Sequence, residues 1–393
     1  MTRSLLFFLL LLTACPLASQ PGIVLSENAR ISLMTVAPGD MLYSTFGHSA
    51  LRVRDPEHRI DRCYNYGTFD FEQPNFILKF CQGRLLYFLD IEPARSFEYG
   101  NLQDRRPMQE QLLQLDSADR QRLFGLLEEN ALEQNRYYKY DFFYDNCATR
   151  IRDIVQECFF HQLNFDTTAL PPNQTMRGLL RPYLKQLPWT QFGIDLALGL
   201  PADRMALAED YMFLPDYVHD LFGRASLPNG RPLVLEERQI PSQPLPERPA
   251  LEPGLFGNPF LVLCIVALIG LLSMANARTE RIFDTLFWLT LGLAGLVLLL
   301  LWVATDHGST KSNWNLLWAL PTHLLFFWRR RHTELTENYF MVTGAIAVLL
   351  LLFWGFLPQD LPEAALPIVV LIAIKSFFRR FWKRDTLEGR EPA

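Results

Sequence analysis

The stretch Tyr137-Tyr138-Lys139-Tyr140-Asp141-Phe142-Phe143-Tyr144-Asp145-Asn146-Cys147-Ala148-Thr149-Arg150 changes character near its centre. Its first eight residues are mostly aromatic and have the composition of a strand. From Ala148 onward, Ile151, Ile154, Val155 and Cys158 recur at helical spacing. Asp145 and Asn146 are both natural N-caps, because a short side-chain oxygen there accepts from first-turn amides. A helix therefore starts at Asp145-Asn146, and Cys147 falls on its first turn. The N-terminus of a helix favours negative charge and lowers a thiol pKa. Its free amides can also hold an oxyanion. Cys147 is thus a candidate nucleophile. Its spacing taken alone equally suits a small buried hydrophobe or half of a disulfide.

A base should lie upstream. Residues 30–36 alternate as a strand, and a turn follows at Pro38-Gly39-Asp40. His48 precedes a second alternating run, Ser49-Ala50-Leu51-Arg52-Val53-Arg54. After the turn at Asp55-Pro56-Glu57, residues 62–67 form a strand that makes a hairpin with it. Residues 75–81 and 84–91 are ordered and aromatic. A polar helix runs over 117–129 with Ser117 as its cap. A neutral His48 can take the thiol proton and then stabilise the thiolate as imidazolium. Asn65 is the candidate to orient the imidazole, with Tyr66 and Asp70 as alternatives. Asparagines near turns are also commonly structural. No Cys-x-x-Cys pair suggests zinc, and no cofactor is called for.

The chain's 393 residues fall into unlike parts. Arg3 and the apolar run Leu5 to Leu12 read as an export signal over residues 1–20, too short to span a bilayer. Two processing routes stay open: lipidation of Cys15 in Leu12-Thr13-Ala14-Cys15, or cleavage near residues 18–20. Residues 21–240 mix charges, aromatics and prolines as an exported domain. The net charge of −5, with no dense basic stripe in this half, gives no sign of nucleic-acid binding. Residues 241–255 are a Pro-rich linker. Five apolar segments follow within 256–378, at about 258–275, 282–303, 315–328, 338–357 and 363–378, of which the third and fifth are short. With the first half outside, Arg278, Arg281, Arg329, Arg330 and Arg331 fall inside. So does the basic tail 379–393, whereas the outer loops carry Asp306, Lys311 and Asp360. This is the positive-inside pattern for an all-α bundle of about five membrane helices with a cytoplasmic C-terminus. The loop Asp306 to Asn313, followed by Asn315 and His323, places polar groups at membrane depth, where function is the default reading. A solvated loop and an interhelical hydrogen bond are the plain alternatives.

Several long motifs stand in order along the chain. They are Tyr43-Ser44-Thr45-Phe46-Gly47-His48-Ser49-Ala50-Leu51-Arg52-Val53, Tyr64-Asn65-Tyr66-Gly67-Thr68-Phe69-Asp70-Phe71, Tyr140 through Arg150, and Met212-Phe213-Leu214-Pro215-Asp216-Tyr217. Thr305-Asp306-His307 and Asn315 through His323 continue the series, so it covers nearly the whole mature chain. Together these motifs resemble the Lnb family of lipoprotein N-acyltransferases. The exported part is also similar in order to circularly permuted papain-like enzymes such as the lecithin-retinol acyltransferase group. The resemblance implies an α+β permuted papain-like domain with Cys147 as nucleophile and His48 as base. Tyr43, Asn146, Arg150, Asp306, His307 and His323 within these motifs, with Asn313 of the outer loop, are candidates for binding or support. The third catalytic position is not settled by it, since the permuted relatives often use a histidine and none stands near Asn65.

The activity so implied moves an acyl chain from a phospholipid, through a Cys147 thioester, to the N-terminal amine of a diacylglyceryl-cysteine lipoprotein. Both partners reside in the inner bacterial membrane. The rival readings are a periplasmic cysteine peptidase or peptidoglycan amidase and a non-catalytic membrane-anchored binding module.

Overall fold

The computed structural model describes residues 23–242, 254–328 and 334–388. The export signal with Cys15, most of the linker, Arg329 to Arg331 and the end of the tail lie outside the described residues.

The first half is built on an antiparallel sheet of seven strands in the order β6-β4-β3-β2-β1-β5-β7. β1 (Arg30–Val36), β2 (His48–Asp55) and β3 (Ile60–Thr68) form its centre. Their registers pair Val36 with His48 and Leu51 with Tyr64. β4 (Leu86–Pro93) and the short β6 (Tyr137–Lys139) extend one side, and β5 (Met108–Leu113) and β7 (Val234–Ile240) the other. Because side chains alternate along a strand, the sheet buries two faces. Leu33, Leu51, Val53, Tyr64 and Tyr66 share one cluster with Leu123 and Phe124 of α3 (Ser117–Ala131) and Ile151 and Val155 of α4 (Cys147–Cys158). Met34, Val36, Ala50 and Cys63 face Phe97 of α2 (Ala94–Gln103). A separate six-residue helix, α1 (Phe76–Cys81), buries none of its residues.

Three local expectations need correction. The aromatic run stops being a strand at Lys139. Asp141 accepts from the amides of Phe143 (2.9 Å) and Tyr144 (3.1 Å), and this Asx turn coils the chain before the helix. Asp116, not Ser117, caps α3, accepting from Asp119 N at 2.8 Å. Strands β5 and β7 were not anticipated, because neither Met108–Leu113 nor Val234–Ile240 alternates clearly between apolar and polar residues, although Pro228-Asn229-Gly230 marks a turn before β7.

After α5 (Arg181–Leu184), α6 (Pro188–Ala197) and α7 (Pro215–Gly223), the second half is helical: α8 (Pro259–Leu272), α9 (Ala277–Val303), α10 (His323–Trp328), α11 (Glu334–Phe353) and α12 (Leu366–Glu388). Among the described residues two helices, Ala277–Val303 and Glu334–Phe356, are long and apolar enough to cross a membrane. At 1.5 Å per residue, α9 is about 40 Å long. The third expected segment is not one helix. A single 3-10 turn at Trp314–Leu317 is followed by the six-residue α10, and Pro321 stands between them, where it cannot donate to a continuing helix.

The halves are joined by hydrogen bonds rather than by contact alone. The buried Arg177 holds Asp203 at 2.7 Å and Asp195 at 3.1 Å, and donates to Leu198 O and Gly199 O. This fixes the end of α6. Carbonyls there receive Asn313 Nδ2 (Leu196 O, 2.7 Å), Asn315 Nδ2 (Asp195 O, 3.3 Å) and Gln359 Nε2 (Leu198 O, 3.1 Å). Side chains from the helical half thus satisfy carbonyls that a helix end leaves free.

Candidate active site

Asn146 sets the start of α4. Its Oδ1 accepts from Ala148 N (2.8 Å) and Thr149 N (2.9 Å), and Thr149 Oγ1 accepts from Asn146 N (2.8 Å), closing a capping box. Asn146 Nδ2 donates to Phe142 O (2.7 Å) and Phe213 O (2.8 Å), so the cap is itself held on both sides. Beside it, Arg150 grips Asp145, with Nη2 to Oδ2 at 2.7 Å, and its guanidinium lies 3.9 Å from the Tyr138 ring centroid. Cys147 follows the cap with 7% of its surface exposed. Thr149 spends its amide on the cap, and Ala148 divides its own between the cap and the Cys147 sulfur. The Cys147 amide is therefore the one in the first turn left for an oxyanion, fewer donors than a bare helix end would offer.

His48 opens β2 just after Gly47, whose φ of +81° turns the chain into the strand. Its Nε2 lies 2.6 Å from Asn65 Oδ1, and Asn65 Nδ2 donates to Glu92 Oε1 at 3.0 Å. The amide orientation therefore makes Oδ1 the acceptor and puts the proton on Nε2. That leaves Nδ1 for the thiol. Strand alternation separates the alternatives for the third group. Asn65 shares a face with Cys63, whereas Tyr66 is buried on the opposite face with Tyr64. Asp70 is exposed and accepts from Glu72 N.

The electrostatics distinguish Cys147 from the other buried cysteines. Burial pushes the Cys147 thiol up, but the charge and hydrogen bond of His48 and the amides of Ser49 and Ala148 outweigh it. The net displacement is below the usual thiol range. For His48, burial pulls downward, yet interaction with Cys147 and the Asn65 hydrogen bond raise it above the ordinary 6.5 against an opposing Arg106. The two shifts favour a thiolate–imidazolium pair. Cys158 has no such partner, and burial pushes it up to about 12. Cys63 is raised further for the same reason. All five cysteines among the described residues are free.

Comparison with known families adds an independent line. Residues 23–181 match the family model described as the Lnb N-terminal periplasmic domain, and residues 251–385 match the Lnb transmembrane domain. The chain belongs to the Lnb family. Both domains of the family occur here in one chain, making this a membrane protein with a periplasmic N-terminal domain and a helical C-terminal region. Family membership itself suggests an enzyme-like role. No match was found among curated proteins or among solved structures.

The remaining candidate residues divide by place. Tyr43 is 63% exposed on the turn Leu42–Ser44. Asp306 bonds Arg84 (3.3 Å) and Lys139 (3.2 Å), which hold its carboxyl below the usual range. His307 Nε2 lies 3.2 Å from Phe80 O. These two bring the helical half of the Lnb chain against its periplasmic half. Asn313 is buried in the α6 cap described above. His323 is buried deeper, with Nδ1 2.7 Å from Tyr339 Oη and its ring against Trp288. Neither Asn313 nor His323 joins the hydrogen-bonded group around Cys147. Sequence reasoning missed Glu92, Arg106 and the Ser49 amide. Glu92 had no local signal, because only the β3–β4 pairing brings it to Asn65.

Proposed function

We propose that the protein is a cysteine-dependent lipoprotein N-acyltransferase of the bacterial inner membrane. The observation that carries this reading is the Cys147–His48–Asn65 arrangement on a domain bonded to membrane-type helices. The order of strand histidine before helix-start cysteine supports assigning the exported domain, residues 21–240, to the permuted papain-like group. The same reading takes 241–255 as linker and 256–378 as a five-span bundle, and it places the basic tail 379–393 in the cytoplasm.

In the first half-reaction the Cys147 thiolate attacks an ester carbonyl of a phospholipid. A C–S bond forms, the ester C–O bond breaks, and the lysophospholipid alkoxide leaves with the proton from His48. The Cys147 amide faces the developing oxyanion. In the second, the α-amine of a diacylglyceryl-cysteine attacks the thioester carbonyl. A C–N bond forms, the C–S bond breaks, and His48 takes the amine proton, restoring the ion pair. No metal or other cofactor enters either step. Asn65 holds the imidazole and is a positioning residue. A domain bonded to membrane helices keeps the sulfur near both lipid-borne substrates, lowering the entropic cost of bringing them together.

The test is the N-terminal peptide of a lipoprotein from cells with and without the gene, read by mass spectrometry. Loss of the amide-linked acyl chain on deletion, restored by the wild-type protein and not by Cys147→Ala, supports the reading. A fully triacylated peptide after deletion, with no other acyltransferase present, overturns it.

A further inference from the structure

α1 is unusual for a helix of an exported domain. Ile77, Leu78 and Phe80 are 76%, 57% and 52% exposed, and the neighbouring Phe71 is 68% exposed. Contiguous apolar surface of this kind marks an interaction site. Its place in the fold says with what. Gln82 O, one residue past the helix, accepts from Asp306 N at 2.8 Å, and Phe80 O meets His307. A Cβ on Gly83 would stand 3.1 Å from the His307 ring, tighter than ordinary contact, at a backbone φ of +68° that favours glycine. Asp306 and His307 follow within four residues of the end of α9, one of the two helices able to cross a bilayer. α1 is therefore pinned where a membrane helix leaves the membrane.

From α1 an unbroken series of aromatic rings leads inward. Phe80 stacks on Phe76 with centroids 6.4 Å apart, and Phe76 meets Phe71 at 5.1 Å and Phe69 at 6.0 Å. Phe69 meets Tyr87 at 5.3 Å, and Tyr87 stacks on Tyr140 at 4.3 Å. Tyr140 ends at the nucleophile. A Cβ built on Gly67 would lie 3.6 Å from its ring and 3.5 Å from Cys147 Cβ. Gly67 thus leaves open the space that the ring and the cysteine share.

Resting on the acyl-transfer reading, we infer that α1 and this aromatic series form a lipid-docking ramp. It takes one acyl chain of an outer-leaflet phospholipid out of the bilayer and lays it along the rings to Cys147. Aromatic faces suit the task because they contact a flexible chain without fixing its register.

Two measurements on the full-length protein test this. The first uses Cys147→Ala protein in vesicles of phosphatidylethanolamine and phosphatidylglycerol that contain a phospholipid with a diazirine in its acyl chain. After illumination, adducts are mapped by peptide mass spectrometry. Adducts within residues 69–80 are expected; adducts confined to the helices of the second half overturn the ramp, whatever the chemistry at Cys147. The second compares acylation of Cys147 by vesicle phospholipid with acylation by a short-chain water-soluble thioester. In Leu78→Glu/Phe80→Glu protein the ratio of vesicle rate to soluble rate is expected to fall at least tenfold, and an unchanged ratio overturns the ramp. If wild-type protein forms no thioester from either donor while the adducts persist, the acyl-transfer reading falls and the docking surface stands.

Discussion

Replacing Asn65 by Ala removes the acceptor 2.6 Å from His48 Nε2. A hydrogen bond to a charged group contributes about 1.5–3 kcal/mol. The neutral ring keeps the same Nε2–H bond at about 0.5–1.5 kcal/mol, so the difference that favours the imidazolium is about 1–1.5 kcal/mol. Since one pKa unit corresponds to about 1.4 kcal/mol, its loss should lower the His48 proton affinity by about one unit. The sign follows from the two shifts. The reactive ion pair exists above the depressed Cys147 pKa and below the raised His48 pKa. Asn65→Ala lowers the upper boundary. The assay is the rate of Cys147 acylation by phospholipid vesicles as a function of pH. The alkaline limb should move to lower pH by about one unit, because the leaving alkoxide needs the imidazolium proton. Asn65→Asp should not restore it fully, because its carboxylate would face Glu92, which now sits 3.0 Å from Nδ2. A rate that falls equally at every pH, with the limb unmoved, would refute the role given to Asn65.

Other consequences can be read from single sites. Asn146→Ala loses a cap, about 1 kcal/mol, and strips the buried Phe213 carbonyl and the partly buried Phe142 carbonyl of their donor at about 1–3 kcal/mol each. Thermal unfolding in detergent should show a destabilisation of about 3 kcal/mol or more. Asn146→Asp keeps the cap oxygen but puts a negative charge beside Cys147, so the acid limb of Cys147 alkylation by a neutral electrophile should move to higher pH. Gly67→Ala must hold φ near +88° at a strain of about 1–3 kcal/mol. It should lower the unfolding temperature, although the added carbon would sit at ordinary contact distance. Arg177→Leu leaves Asp195 and Asp203 buried without their cation. A loss of about 3–5 kcal/mol is expected, seen as loss of monodisperse protein on size-exclusion chromatography.

The legibility of the chain follows from how local each signal is. β1, β2 and the start of α4 were visible because alternation, turn residues and an N-cap are all encoded within a few positions. The choice among Asn65, Tyr66 and Asp70 was not. It needs the pleat of β3, which turns Asn65 toward His48 and Tyr66 into the opposite core. Glu92 was invisible because a sheet pairing 27 residues along brings it to Asn65. The break within the third apolar segment of the second half was not legible, because hydropathy averages over Pro321, which interrupts the helix. Asn313 illustrates a further limit. A polar residue in an outer loop reads as a functional group, yet this side chain is 2% exposed and donates to the carbonyls that end α6. The role is set by a partner more than a hundred positions away.

The central claim is that Cys147 carries an acyl group. Intact mass of the wild-type protein and of Cys147→Ala, after incubation with phospholipid vesicles and no acceptor amine, tests it directly. The account predicts a gain of one acyl mass in the wild type, removed by hydroxylamine and absent from the variant. No adduct on the wild type, with the His48–Asn65 hydrogen bond intact, would contradict it and turn the search toward peptidoglycan amides.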